Sequence, residues 1–468
     1  MISEKTKTPQ SLFAESSAGA AMAVAHQRLR PEKKTNIRWL VVAILFMLTA
    51  VNYADRATLS IAGSAIQKEL GLTSIQMGYI FSAFGWAYVV AQLPGGWLLD
   101  RFGSKRVYST CLVFWSLSVA LQGSAVFFTG VTAAAVLFAF RYLMATFEAP
   151  SFPANARIVA AWFPKQERGT ASSIFNAAQY FATVIFAPLM GWIVHFFGWH
   201  YVFIVMGATG IVMLFFWLKF IYDPKEHPMA NKAEVDYIEE GGGLVSMDMK
   251  KDGEAKKAGP NLALIKQLLS NRMFIGIYLA QYCINALTFF FISWFPVYLV
   301  QARGMDILHA GFAAAIPALC GFGGGIAGGV FSDFLLHRGY SLSVARKLPI
   351  VAGMLLSMAM IGCNYVDSIP LVILFMALSF FGKAFGALGW AVGSDTFPQE
   401  IAGLAGGLFN MCGNLSSITT PIAIGYIVAV TGSFEWALVF TVVHGLVAAF
   451  SYIFLVGDIH RVELKKVD

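Results

Sequence analysis

The sequence has little charge for its length. Of its 468 residues, 13% are charged, whereas 57% are hydrophobic and 15% are aromatic. Soluble globular domains carry about 25% charged residues, so this composition excludes an ordinary soluble protein. The long apolar segments instead predict a protein that crosses a membrane many times.

Cysteine is scarce, and motifs for covalent or metal chemistry are absent from the sequence. The five cysteines lie in apolar segments, and none forms a CxxC pair or a Cys/His cluster. We interpret them as small apolar side chains and expect no disulfide, metal or other cofactor. There is no P-loop, HExxH or GxSxG motif, and the GxGxxG match at 323–328 follows no predicted strand. The sequence therefore does not predict an enzyme.

Twelve apolar segments are long enough to cross a bilayer as helices, which takes about 20 residues. They lie at 38–64, 74–99, 106–128, 131–154, 169–194, 199–222, 273–300, 309–335, 346–364, 369–394, 401–430 and 434–457. The sequence thus predicts an all-α polytopic membrane protein with two six-helix bundles at 38–222 and 273–457, joined by a polar loop at 223–272. We expect cytoplasmic tails at 1–37 and 458–468, the first without the apolar core of a signal peptide.

The basic residues predict the orientation of these spans. With both termini in the cytoplasm, cytoplasmic segments contain 28 of the 33 Lys and Arg residues, and external loops contain only Lys68 and Arg303. Such an excess is typical of cytoplasmic loops. The basic clusters belong to these loops, so we predict no nucleic-acid binding.

The two predicted bundles are internal repeats. Phe163, Pro164 and Asn176 recur as Phe397, Pro398 and Asn410, each at an offset of 234 residues. Because six is an even number of spans, both copies keep the same orientation. Transporters built from two such halves bind substrate between them, near the middle of the membrane.

One cytoplasmic loop carries a long motif. Residues 96–106 read GWLLDRFGSKR, which resembles the G-x-L-x-D-R-x-G-x-K/R signature of the major facilitator superfamily. Its glycines would allow tight helix approach, and its acidic residue would latch one conformation; the alternative is an ordinary charged turn. The predicted cytoplasmic gate consists of Gly96, Asp100, Arg101, Gly103 and, in the second half, Asp333.

Further stretches resemble the sugar-acid/proton symporters of the anion:cation symporter group, especially the glucarate/galactarate (hexarate) transporters. They read NYADRA at 52–57, GYIFSAF at 78–84, EAPSFP at 148–153, WFP at 162–164 and 294–296, QYCINAL at 281–287 and LVGDI at 455–459. The resemblance implies proton-coupled uptake of a sugar acid across a bacterial inner membrane. It implies a sugar-acid anion, protons and the bilayer as partners, and we expect a monomer.

Four charged residues lie deep inside predicted spans of the first half, where a charge is costly. Arg141 and Glu148 are seven residues apart, so they share a helix face about 10 Å apart along the axis. Asp55 and Arg56 are neighbours and point in different directions. We predict that all four face one cavity, where the arginines bind carboxylate and Asp55 and Glu148 carry protons. The alternative is that they form fixed structural ion pairs, Arg141 with Glu148 and Asp55 with Arg56.

Lys383 is the third cation inside a predicted span. It lies one position past the repeat equivalent of Glu148. A sugar diacid has two carboxylates, and we hypothesise that Lys383 holds the second one. The alternative is a lysine that is structurally paired or extends to the membrane surface.

Uncharged polar and aromatic residues complete the predicted site. Amides supply both donors and acceptors for sugar hydroxyls, although helix–helix hydrogen bonding explains Asn285 equally well. Ring packing is the alternative for the aromatic residues. The predicted substrate contacts, besides the cations, are Tyr53, Tyr88, Gln179, Gln281, Asn285, Trp390 and Asn410.

Two other functions compete with symport. An anion exchanger, driven by counter-substrate, needs the cations but not Asp55 and Glu148. A transport-like sensor needs an output domain, and no sizeable soluble segment is present in the sequence. Related sugar acids, galactonate or a hexuronate, are alternative substrates.

Overall fold

The computed structural model describes residues 34–246, 262–398 and 401–463, and within them it leaves the side chains of a few residues, including Asp100, undescribed. Most of the predicted tails therefore lies outside the described residues. Within these ranges the chain is helical and contains no strand.

Twelve long helices run through the described ranges, close to the predicted segments. They are α1 Ile37–Leu70, α2 Ser74–Phe102, α3 Ser104–Phe127, α4 Gly130–Trp162, α5 Arg168–Phe197, α6 Trp199–Phe220, α7 Arg272–Gln301, α8 Ile307–His337, α9 Leu342–Tyr365, α10 Ile369–Thr396, α11 Ala402–Thr431 and α12 Glu435–Leu455. Eleven of them are long and apolar enough to cross a membrane in their described residues, and α2, with 29 residues, is the remaining one. The predicted fold class, an all-α polytopic membrane protein, is confirmed.

Local sequence determines where the first two helices meet. Gly71 ends α1 in a left-handed conformation (φ 67°). Residues with a Cβ rarely adopt this conformation. Thr73 and Gln76 then form a capping box that begins α2. The result is a three-residue turn between two antiparallel helices.

Three long helices are interrupted in the middle of the bundle. In α4, the segment Gly130–Glu148 ends at Glu148, and the helix resumes at Ser151 after Pro150. In α10, the segment Ile369–Ala384 is followed by a 3₁₀ turn, Phe385–Leu388. In α7, Phe290–Trp294 forms a π-turn. Such irregular turns inside helices are frequent at functional sites.

The halves meet where small residues let the backbones approach. We call the contact of α2 with α11 around Gly78, Gly85 and Gly425 the glycine seam. A Cβ on Gly425 would lie 2.6 Å from the carbonyl oxygen of Ser74, and a Cβ on Gly85 would lie 2.2 Å from Oγ of Ser417. Only glycine therefore fits this spacing without movement.

We call the end of the bundle at which α1 begins and α12 ends the terminal end. The glycine seam lies away from this end. At the opposite, far end, Nε2 of Gln301 donates to Oε1 of Gln67 at 3.0 Å, and the hydroxyls of Tyr79 and Tyr426 are 3.3 Å apart. These contacts join the halves at the far end.

At the terminal end, the segment between the halves packs onto α1. It contains the short helix Lys232–Glu240, and a second short helix, Leu262–Ser270, precedes α7. Glu234 is fully buried. Its carboxylate accepts hydrogen bonds from the first backbone N–H groups of α1 and forms an ion pair with Arg38 at 3.1 Å. A carboxylate at a helix N-terminus is favourable. Burial alone would raise the pKa of Glu167, but hydrogen bonds from Tyr237 and Arg38 hold it below its usual value.

The predicted gate motif is only partly as expected. Among the residues that the structure describes, no atom lies within 4 Å of a Cβ built on Gly96, whereas a Cβ on Gly95 would lie 2.9 Å from Pro150. The prediction of tight approach at Gly96 was therefore wrong, because adjacent residues face different sides of a helix. Gly103 has φ 80° and forms the turn between α2 and α3.

The charged gate residues make few contacts that the structure describes. The Asp100 side chain lies outside the described residues. Arg101 is exposed and its guanidinium lies 5.2 Å from the Trp97 ring. Asp333 is exposed, and no ion pair to it is found in the described residues; the ion pair at this end of the second half joins Arg346 and Asp395 at 2.9 Å. A latch at Asp333 stays a prediction.

Candidate functional site

The centre of the site is an ion pair between α1 and α4. Arg56 donates through Nε to Oε1 of Glu148 at 2.6 Å, and its Nη2 lies 2.5 Å from the same oxygen in an ion pair. The Glu148 side chain is completely buried, and that of Arg56 is 12% exposed. The sequence alternative paired Glu148 with Arg141 on its own helix; the structure instead pairs it across to α1.

Aromatic rings surround the Arg56 guanidinium. Its carbon lies 4.6 Å from the ring centres of Tyr53 and Phe84, 5.2 Å from Tyr88 and 5.8 Å from Phe152. A cation over an aromatic face is stabilised by roughly 0.5–2 kcal/mol, more when water is excluded. Tyr53 and Tyr88 were predicted to flank the substrate, and the structure brings both to Arg56.

Arg141 supports α1 from behind. Its Nη2 donates to the backbone oxygen of Arg56 at 3.0 Å, and it is only 3% exposed. Its Nε and Nη1 have no hydrogen-bond partner. This arginine therefore lies behind the Arg56–Glu148 pair and is not at the surface of a cavity.

Asp55 lies deeper in the first half. It is 1% exposed, its Oδ1 has no hydrogen-bond partner, and it faces Trp115, Arg141 and Glu148. Asn52, one helical turn earlier, is also buried with both amide atoms unpartnered. Sequence reasoning missed Asn52 as a site residue, although its spacing from Asp55 and Arg56 places it beside them.

A cavity separates the two halves beside this cluster. It contains about 770 Å³ of space between its walls, including the part open to solvent. Tyr53, Arg56 and Gln179 line it from the first half, and Lys383 lines it from the second. The other polar lining residues, which sequence reasoning missed, are Ser60, Tyr180, Thr183 and Thr288. Two of them follow a predicted residue by four positions, Ser60 after Arg56 and Thr183 after Gln179, which was the available signal.

The far end of this cavity is closed. On α1 and α7, the residues that join the halves lie farther from the terminal end than the lining residues do. Gln67 follows Ser60 on α1, and Gln301 follows Pro296 on α7. Ser60 itself donates to the backbone oxygen of Ser293 in the π-turn of α7, at 2.9 Å.

Lys383 reaches the cavity from α10. It is half-buried, its amino nitrogen lies 5.0 Å from the centre of the Phe380 ring, and the helix changes to a 3₁₀ turn two residues later. Within the described ranges Lys383 forms neither an ion pair nor a hydrogen bond. The structural pairing considered from the sequence is therefore not seen there.

The other predicted contacts lie outside the cavity wall. Gln281 donates to Asn285 at 3.4 Å and leaves its own buried oxygen unpartnered. Asn410 accepts hydrogen bonds from Asn414, and Trp390 packs against Phe409 with ring centres 4.8 Å apart. These residues lie one to three helical turns nearer the terminal end, because sequence spacing gave a shared face but not the depth of the cavity.

The arrangement suits reversible binding of anions and protons. Cations and hydroxyls line a cavity between two bundles, and two carboxyls are buried behind its wall in the first half. In the described part of the chain, no group of three or more His, Cys, Asp or Glu residues could hold a metal ion. A twelve-helix bundle with a central charged cavity defines a membrane transporter.

The family model of the Major Facilitator Superfamily matches residues 45–345. The chain belongs to this superfamily, whose members are transporters and not enzymes, and it is a multi-pass membrane protein. The fold agrees with solved structures. A bacterial homologue of the human lysosomal transporter Spinster, in an inward-facing and occupied conformation, has a TM-score of 0.70 at 15% identity, over 90% of this chain and 97% of that one.

Curated relatives are similar over nearly their whole length. The chain is 62% identical to the probable galactarate/D-glucarate transporter GudP of Bacillus subtilis, over 93% of this chain and 95% of that protein. It is 61% identical to the protein of the same name from Escherichia coli K12, over 93% and 97%. The D-galactonate transporter of Escherichia coli O6:H1 is 40% identical, over 91% and 97%.

Proposed function

We propose that this protein is a symporter that takes up a sugar diacid, galactarate or D-glucarate, together with protons across a bacterial inner membrane. The resemblance of its sequence to the named transporters supports the substrate class. The observation that carries the mechanism is the buried Arg56–Glu148 pair at the wall of a cavity shared by both halves.

Substrate binding would exchange one anion for another. Arg56 presents a planar fork that matches a carboxylate and keeps its charge when buried. In the empty cavity Glu148 occupies this fork. When Glu148 takes up a proton, its hold on Arg56 weakens, and a substrate carboxylate can replace it. Proton and substrate binding thus become linked without any covalent step.

Asp55 would be the second proton carrier. Burying an ionised carboxylate without a hydrogen-bonded cation costs free energy, so the neutral form of Asp55 is favoured in this conformation. Its partners Arg141 and Glu148 change their surroundings when the substrate binds. Asp55 can then release its proton when the halves move.

Alternating access would follow from movement of the two halves about the cavity. The far end is joined at the glycine seam, so uptake requires this contact to open and close. We propose that the terminal end is cytoplasmic, as the distribution of basic residues predicts, and that one chain is the transport unit.

Uptake into proteoliposomes tests the proposal. The vesicles contain no internal substrate, and an inward proton gradient, with the acidic side outside, is imposed. Radiolabelled galactarate should then accumulate inside them. Excess D-glucarate should compete more strongly than D-galactonate or D-glucuronate. Accumulation that requires internal anion and ignores the pH gradient would instead establish an exchanger.

A further inference from the structure

We propose that the two carboxylates of a diacid are held by unequal partners: Lys383 binds one without any proton exchange, and Arg56 binds the other only after Glu148 has been protonated. This inference rests on the proposed function. It assigns diacid selectivity and proton linkage to opposite walls of one cavity.

The cation of the first wall is already neutralised by Glu148. Nε of Arg56 donates to Oε1 of Glu148 at 2.6 Å, and Nη2 lies 2.5 Å from the same oxygen. A second carboxylate therefore meets a paired cation, and binding there requires the first carboxylate to lose its charge. The groups that face Glu148 are Tyr53, Asp55 and Arg56 from α1, Tyr88 from α2, Tyr108 from α3 and Arg141 from its own helix.

The second wall offers a cation that no anion neutralises in the described ranges. Lys383 lies in the last turn of the segment Ile369–Ala384, directly before the 3₁₀ turn Phe385–Leu388 of α10. The titratable neighbours along the same cavity are Tyr53 and Tyr180, which are neutral at physiological pH.

The walls are chemically distinct around these two cations. Lys383 lies beside Phe380, and Phe380 packs against Phe291 with ring centres 4.4 Å apart. Arg56 lies beside Ser60 and Gln179, which can bind hydroxyls. A sugar diacid that reaches from one wall to the other would place its hydroxyls along the polar side and its two carboxylates at the cations.

Two variants separate the tasks. Binding of radiolabelled galactarate to the purified full-length protein is measured across an acid-to-neutral pH series, with competition by D-galactonate, in which a CH₂OH group replaces one carboxylate. Lys383→Gln should weaken galactarate binding roughly 10- to 100-fold. It should leave galactonate binding and the pH dependence nearly unchanged. Glu148→Gln should abolish the pH dependence and keep the preference for the diacid.

Controls address charge and folding. Lys383→Arg should keep most of the diacid preference. Lys219→Gln removes another lysine beside a phenylalanine, 5.3 Å from the Phe220 ring but on the exposed surface of α6, and should change neither ligand's affinity. Thermal unfolding of each variant reports whether it is folded.

Three results would overturn the inference. They are equal losses of galactarate and galactonate affinity in folded Lys383→Gln, loss of the pH dependence in that variant, and no competition by galactonate in the wild type. Failure of the wild type to bind any sugar acid would instead refute the proposed function. The two failures are therefore distinguishable.

Discussion

The glycine seam permits a quantitative prediction about conformational balance. Gly425→Ala adds a Cβ 2.6 Å from the carbonyl oxygen of Ser74 and 3.3 Å from Cα of Gly78. Both are backbone atoms, so the clash cannot be relieved by turning a side chain. The helices must separate, and we expect the conformation with a closed far end to be destabilised.

The magnitude follows from the cost of overpacking, which is typically about 1–3 kcal/mol. At tenfold per 1.4 kcal/mol, the ratio of closed to open far ends should fall about 5- to 150-fold. Gly407→Ala is the matched control on the same helix, because its added Cβ has no atom of the described part of the chain within 4 Å.

Distances between spin labels measure this balance. Cysteines at Gln67 and Gln301, which contact each other at 3.0 Å, carry the labels in a chain whose five native cysteines have been replaced. Gly425→Ala should add a population with a longer distance, and Gly407→Ala should not. An unchanged distribution in Gly425→Ala, or the same change in both variants, would refute the reasoning.

Three further predictions concern charged groups. Asp55→Asn should abolish uptake driven by a pH gradient but keep counterflow between equal substrate pools; loss of both would remove Asp55 from the proton path. Glu234→Gln removes the fully buried one of the two carboxylates paired with Arg38, so it should destabilise the protein by about 3–5 kcal/mol in thermal unfolding, whereas Glu239→Gln, in an exposed ion pair, should have little effect. The pKa of Glu167 is lower in the folded protein than in the unfolded chain, where it is about 4.3. The contribution of this carboxylate to stability is therefore present above the unfolded pKa and is lost as the pH falls through the folded pKa. Glu167→Gln should therefore lose stability at neutral pH, by less than about 1 kcal/mol since the side chain is partly exposed, and show no difference in strong acid; equal losses at both pH values would contradict this.

The positions of the long helices could be predicted from the sequence because the bilayer imposes a simple requirement. A span needs a continuous apolar segment of fixed length, and each segment satisfies it locally. The turn at Gly71 and the turn at Gly103 are similarly local, since a positive φ favours glycine wherever the rest of the chain lies. The unusual charges at Asp55, Arg56 and Glu148 were also visible, because they interrupt apolar segments.

Which of these charges touch was decided by tertiary structure. The spacing of Arg141 and Glu148 suggested a pair within one helix, but the packing of α1 against α4 gives Glu148 to Arg56. Likewise, Gly95 and Gly96 are neighbours, but a Cβ on Gly95 would meet Pro150, whereas a Cβ on Gly96 would meet no atom of the described residues within 4 Å. A periodic pattern defines a helix face, whereas the rotation and depth of that face depend on the helices packed against it.

The same distinction applies to the cavity. From the sequence alone, Lys383 was predicted to hold a second carboxylate, and Gln281, Asn410 and Trp390 were predicted substrate contacts beside it. Only the packing of the two halves puts Lys383 on the wall opposite Arg56 and leaves the other three nearer the terminal end. Composition and periodicity determined that this protein is a bundle of membrane helices with costly charges inside it. The contacts between distant helices decided which charges share a site, because electrostatic and steric interactions depend on distances in space that no local pattern encodes.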